Sequence, residues 1–192
     1  YILTDSLLQG ILMGLLFALV ALGLTVIFGV MDVVNFAHGE FLMIGMYSAY
    51  WTSMLLHVDP LVGLPASAVV GALLGIASYY AFVKHLLRGP AIAQLFGTFG
   101  LMLFLRYLAM FLFGTDYRII QKGLLVGKSL SVGPFIFDWT KLSAAILSLI
   151  AFGAVYFFLH KTRMGKALQA TALNREAAYY MGIRTERMNA LT

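Results

Sequence analysis

Long apolar runs separated by short polar breaks dominate the chain. Five runs stand out: Leu7–Val30 (24 residues, no formal charge), Phe41–Leu56 (16), Leu61–Val83 (23), Ala91–Phe113 (23, with Arg106 inside) and Leu142–Leu159 (18, uncharged). A helix needs roughly 20 residues to cross the hydrocarbon of a bilayer. Four runs reach or approach that length. The pattern predicts an all-α bundle of about five membrane spans.

The second run is short. Extended back to Val33 it reaches 24 residues, but it then takes in Asn35, His38, Gly39 and Glu40. Either residues 31–40 form a polar loop before a short helix, or the second span is discontinuous. Broken backbone at membrane depth is tolerated where it is buried or lines a cavity. In transporters such breaks often mark the substrate path.

Composition agrees with lipid as the solvent. Apolar residues make up 61% of the chain and charged residues 11%, against about a quarter charged in soluble domains. The net charge of +5 is no sign of nucleic acid, because the basic residues cluster beside spans. There is no cysteine, hence no disulfide and no thiolate metal site. The first run lacks a basic leader and is longer than a signal-peptide core, so it reads as a true span. The chain opens on Tyr1 and stops at Thr192 after a helical stretch, which reads as a piece of a longer protein.

Basic residues set the expected orientation. Lys84 and Arg88 follow the third run, and Lys161, Arg163, Lys166, Arg175, Arg184 and Arg187 follow the fifth. Arg118, Lys122, Lys128 and Lys141 lie on the other side. This bias places the tail, 161–192, in the cytoplasm and the N-terminus outside. Residues 1–192 then form one transmembrane domain with an external loop over 114–141. Its Gly, Ser and β-forming residues predict short strands or a hairpin. Gly10-x-x-x-Gly14 and Gly71-x-x-x-Gly75 put small residues on one helix face, which permits close helix packing and supports a packed bundle.

Several arrangements resemble catalytic motifs without meeting their requirements. Gly123-Leu-Leu-Val-Gly127-Lys128-Ser129 has three residues between its glycines where a phosphate loop needs four; it reads as a turn. His38 and Glu40 lack the third and fourth ligands that a metal site needs, and no nucleophile and base accompany them. No metal, cofactor or catalytic residue is expected, and an intramembrane hydrolase is disfavoured. Asn35, His38, Gly39 and Glu40 are instead candidates for a translocation path. Arg106 is an intramembrane charge and so a functional candidate by default, although its place near one end of its run favours snorkelling to the interface.

The tail predicts one helix over Met164–Tyr180, with Lys166, Gln169 and Arg175 on a wet face. It could rest on lipid headgroups. Glu176-Ala177-Ala178, however, offers a small surface that another protein can approach closely.

With Gly182 four residues past the second alanine, this segment resembles the EAA loop of ABC importer permeases. The stretch Gly23-Leu-Thr-Val-Ile-Phe-Gly-Val-Met-Asp-Val-Val-Asn-Phe-Ala-His-Gly-Glu-Phe-Leu-Met-Ile-Gly45 resembles the first signature of branched-chain amino acid permeases. Thr162-Arg-Met-Gly-Lys-Ala-Leu-Gln-Ala-Thr-Ala172 is similar to their approach to the loop. The resemblance covers nearly the whole chain, though members of that family run on for further spans. It implies a non-enzymatic permease subunit in the bacterial cytoplasmic membrane, paired with a second related permease, two ATP-binding cassette ATPases and an external substrate-binding protein. Glu176, Ala177, Ala178 and Gly182 would make the coupling contact with an ATPase. Asn35, His38, Gly39 and Glu40 would stand near the path. Urea and short-chain amide permeases share much of the signature; Phe36 stands where methionine is expected in the urea type. An ATP-independent secondary transporter would fit a broken span but leaves the EAA-like loop unexplained.

Overall fold

The computed structural model describes residues 2–120, 123–132 and 135–192; Lys122 and Pro134 lie outside the described residues. In chain order the elements are α1 (Ile2–Met31), α2 (His38–Leu56), a 3₁₀ turn (Pro60–Val62), α3 (Gly63–Ser78), a π turn (Tyr79–Val83) and α4 (Lys84–Leu86). Then come α5 (Ala91–Phe113), β1 (Ser129–Val132), β2 (Phe135–Asp138), α6 (Trp139–Lys161), α7 (Arg163–Leu173), α8 (Arg175–Tyr180) and α9 (Thr185–Leu191). Among the described residues four helical stretches are long and apolar enough to cross a membrane: Leu3–Met31, Pro60–Leu86, Ala91–Phe113 and Trp139–Lys161. With the 19-residue, less apolar α2, they give the all-α membrane bundle that the hydrophobic pattern predicts.

The chain divides into two compact units, one of Tyr1–Val26 with Leu124–Ile183, the other of Ile27–Gly123 with Arg184–Thr192. In the first unit β1 and β2 pair antiparallel, with Ser129 opposite Asp138 and Leu130 opposite Phe137. This is the hairpin expected in the loop. Gly127 at φ +74 makes the turn before it, and the carbonyl of Lys128 accepts the Trp139 N–H at 3.2 Å. The glycines around Lys128 thus shape a turn, as expected. Lys141, expected in the loop, instead lies in the first turn of α6 and donates from Nζ to Gln9 Oε1 on α1 at 3.2 Å. Helix α6 starts earlier than the apolar run, at Trp139, directly after Asp138 in extended backbone.

In the second unit α2 and α3 pack closely where Gly63 meets Ala49; a Cβ at Gly63 would stand 3.3 Å from the Ala49 carbonyl. The close packing that the two Gly-x-x-x-Gly stripes permit is not made by the described residues. Among the described residues, nothing beyond its own stretch of helix lies within 4 Å of a Cβ built on Gly10, Gly14, Gly71 or Gly75. Small residues permit close approach but cannot by themselves supply a partner helix. Met31, Val33 and Tyr79 form one buried cluster, and Ala37, Leu101 and Leu105 another. The π turn falls at Tyr79. Such bulges inside helices often sit at functional sites, and this one lies beside the interruption between α1 and α2.

Candidate functional site

Helix α1 ends at Asp32, whose φ of +56 is left-handed and whose N–H closes on the Phe28 carbonyl at 2.8 Å. Asp is among the few side chains that tolerate that conformation. The next residues are not helical. Asn35 rebuilds the chain direction: its Oδ1 accepts the Ala37 N–H at 3.0 Å and its carbonyl accepts the His38 N–H at 3.2 Å. An asparagine side chain that mimics a backbone turn is a recurrent device. Ala37 is fully buried, and α2 begins at His38.

Two contacts fix this interruption against α5. Thr98, 1% exposed, donates from Oγ1 to the Val34 carbonyl at 3.2 Å. Arg106 donates from Nε and Nη2 to one oxygen of Glu40, at 3.0 and 2.6 Å. Thr98 stands about a third of the way along α5 and Arg106 about two-thirds. Residues 34–40 therefore run beside the middle of a helix long enough to span a membrane. This geometry favours the discontinuous span over the polar loop.

The Arg106 contact corrects the snorkelling expectation. Its guanidinium reaches sideways to Glu40, because a carboxylate in an apolar setting is the stronger attraction. The Glu40 side chain is 7% exposed and that of Arg106 is 51% exposed. Sequence reasoning placed both residues among the candidates but could not pair them across 66 positions.

A cavity of about 420 Å³ opens beside the interruption, with Asn35, His38, Thr98 and Asn189 among its polar lining and Tyr79 and Phe41 among its apolar lining. That volume is within the range of small-molecule sites. Among the described residues no Asp, Glu, Lys or Arg lines it. Gly39 is exposed, and a methyl group built there would meet nothing within 4 Å; no steric demand for glycine is visible at that position. Among the described residues no group of three His, Cys, Asp or Glu could hold a metal ion.

The tail is built differently. Thr162 ends α6 and starts α7: its Oγ1 donates to the Phe158 carbonyl at 2.6 Å and accepts the Gly165 N–H at 2.9 Å. Gly165 lies so close to the end of α6 that a Cβ there would fall 2.1 Å from the Phe158 carbonyl oxygen. The single helix expected over Met164–Tyr180 is in fact two. Asn174 is extended (φ −157, ψ 105) and caps α8, its Oδ1 accepting the Ala177 N–H at 3.0 Å. Asparagine is among the best N-capping residues, and here it outweighs the helix formers on either side.

Helix α8 closes at Gly182, φ +82. The Gly182 N–H bonds to the Tyr179 carbonyl at 2.9 Å and the Ile183 N–H to the Ala178 carbonyl at 3.0 Å. This pair of bonds is the Schellman motif, which favours glycine at the left-handed position. Glu176 and Ala177 are exposed, but Ala178 is only 4% exposed. The flat surface expected from Glu176-Ala177-Ala178 is corrected in that respect. One turn of helix points successive residues to different sides, so Ala178 packs inward. Tyr179, Tyr180 and Met181 are exposed beside Glu176 and Ala177. Thr162, Gly165 and Asn174 were missed as determinants of this region, although Thr and Asn before helical runs are capping signals.

In the second unit Lys84 pairs with Glu186 of α9. The hydrogen bond from Lys84, followed by its charge, holds the Glu186 carboxyl below its ordinary range.

Comparison with known proteins supplies a context for these features. The profile of the family described as "Branched-chain amino acid transport system / permease component" matches residues 6–192. The high-affinity branched-chain amino acid transport system permease protein LivH of Salmonella typhimurium is 28% identical over 198 residues, covering 96% of this chain and 63% of its own length. The corresponding BraD of Pseudomonas aeruginosa is 27% identical over 207 residues, covering 98% and 65%. A probable branched-chain amino acid transport permease protein LivH of Methanocaldococcus jannaschii is 29% identical over 178 residues, covering 90% and 56%. The chain thus spans less than two-thirds of the length of these curated relatives. No solved structure matches it. The match over 6–192 takes in both the interruption at 32–37 and the capped helix at 175–180, and the chain belongs to the branched-chain amino acid transport system permease family.

Proposed function

We propose that the chain forms much of one permease subunit of an ATP-driven importer that moves branched-chain amino acids across the cytoplasmic membrane. Its partners are a second related permease, two ATP-binding cassette ATPases and an external substrate-binding protein. The chain itself performs no covalent chemistry. The observation that carries this reading is the interruption at 32–37, fixed to the middle of α5 by Thr98 and by the Glu40–Arg106 pair. A helix that only anchors a protein has no need of a broken span with paired charges. A transporter can use unwound backbone and intramembrane charges to line a route. Asn35, His38 and Glu40 are accordingly assigned to the path or its wall.

The second support is the shape of α8. A short helix, capped at both ends and carrying Glu176 and Ala177 outward, suits a rigid contact with a moving partner. In this reading Glu176, Ala177 and the adjacent exposed tyrosines meet an ATPase on the cytoplasmic side. Ala178 and Gly182 hold the helix in shape. Basic residues concentrated between 161 and 187 agree with that side.

The test is uptake by proteoliposomes carrying the full-length permease with its partner permease, ATPases and binding protein. Labelled leucine should enter only with ATP. Entry of urea instead would overturn the substrate, and entry of leucine without ATP would overturn the importer class.

A further inference from the structure

A second concavity, of about 330 Å³, lies on the other flank of α2 and is lined by Met43, Met46, Tyr47, Tyr50 and residues 115–118. The proposed path does not use it. Its wall combines apolar, aromatic and charged side chains from α2 and from the segment after α5. Met43 and Met46 give a soft apolar side, and thioethers adapt to aliphatic groups of varied shape. Tyr47 is anchored by stacking on Phe113 at 4.5 Å between ring centroids. Asp116 and Arg118, two residues apart on the segment after α5, supply both signs of charge.

Arg118 is held in place without being used up. One Nη2 donor goes to the Phe113 carbonyl at 2.8 Å. The guanidinium lies over the rings of Tyr50 and Trp51, at 5.8 and 5.2 Å from their centroids. Cation–π contact fixes a guanidinium while leaving its edge donors free. Arginine has five N–H donors in a fork that matches a carboxylate. Asp116 has no hydrogen-bond or ion-pair partner among the described residues.

We infer that this cleft is a receiving site for a zwitterionic aliphatic amino acid at the outer mouth of the permease. Arg118 takes the carboxylate, Asp116 takes the ammonium, and Met43 and Met46 face the aliphatic side chain. The inference rests on the import reading above, which places the end of α5 outside. It goes further in assigning a recognition site to the permease itself, so that selection does not rest on a separate binding protein alone.

The absence of cysteine from this chain gives a direct test. Thr115→Cys, and independently Met46→Cys, are introduced into the full-length permease within the assembled complex. Each is labelled with a membrane-impermeant charged maleimide, without binding protein. Millimolar leucine should slow labelling severalfold. 4-Methylpentanoate, which lacks the ammonium, and 3-methylbutylamine, which lacks the carboxylate, should not. Protection should vanish with Arg118→Gln or Asp116→Asn. Failure of both cysteines to react, absence of protection at either, or equal protection by all three compounds would overturn the site. The wild-type complex, run in parallel for ATP-dependent leucine uptake, separates that outcome from failure of the import reading.

Discussion

Helices stop in two different ways in this molecule. Between α1 and α2 the chain leaves the helix for six residues and is held by distant partners: Thr98 on the Val34 carbonyl and Arg106 on Glu40. Between α6, α7 and α8 it turns at single residues, Thr162 and Asn174, and each turn is held by its own side chain. The first interruption adds tertiary packing to the local turn made by Asn35; the second is written locally. A break held from a distance can change when its partners move, as a translocation path requires. A break held by caps keeps its shape while the whole segment moves, as a coupling element requires. Both roles belong to the proposed function.

The largest effect expected is at the distant partner. Arg106→Leu leaves Glu40, 5% exposed, as an uncompensated charge in an apolar setting. Breaking a buried pair from one side typically costs about 3–5 kcal/mol. The half-exposed guanidinium places this pair at the lower end of that range. Arg106→Leu with Glu40→Leu removes both charges and should recover most of the lost thermal stability of the purified full-length permease complex. Uptake should remain impaired in the double variant if the charges serve the path. A double variant as unstable as the single one would show that the pair acts by packing, and the contrast between the two interruptions would lose its basis.

Gly165→Ala tests the local side. A Cβ there would stand 2.1 Å from the Phe158 carbonyl oxygen and 2.5 Å from the Leu159 Cα, both backbone atoms that cannot swing aside. Overpacking of this kind costs about 1–3 kcal/mol. The strain falls on the α6–α7 corner, so ATP hydrolysis should lose its stimulation by loaded binding protein while the fold persists. Normal stimulation would mean that the corner opens without consequence for coupling.

The same contrast explains what could be read in advance. The runs that became α1, α3, α5 and α6 were legible because lipid demands about 20 apolar residues in sequence, and no tertiary contact can waive that. The strand pair at 129–138 was legible from the Gly, Ser and β-forming residues of the loop. Asn35, His38 and Glu40 were legible as misfits in an apolar run. What they touch was not, because Thr98 and Arg106 lie some 64 to 66 positions away and sequence spacing carries no contact information at that range. The division of the tail at Asn174 was legible in principle. It was lost because Ala, Leu and Gln before it and Arg, Glu and Ala after it favour helix more evenly than one asparagine opposes it. The inward face of Ala178 depends on the α8 direction, which the caps at Asn174 and Gly182 set.

Asn174→Ala gives the smallest and most diagnostic effect. It removes the Oδ1 that accepts the Ala177 N–H and replaces a residue suited to extended backbone with the strongest helix former. Losing such a cap costs about 1 kcal/mol, which is about a fivefold change in a local opening equilibrium. Alanine also invites α7 and α8 to fuse into the single helix that the sequence pattern favours. Hydrogen exchange should therefore speed by about fivefold at Ala177 if the cap alone is lost, but slow at residues 174–177 if the two helices join. In either case the direction of Glu176 changes, and ATPase stimulation should fall more than global stability does. Fusion that left coupling intact would separate α8's shape from its proposed role. Exchange and coupling altered together would show that the local interruption is there to aim this helix.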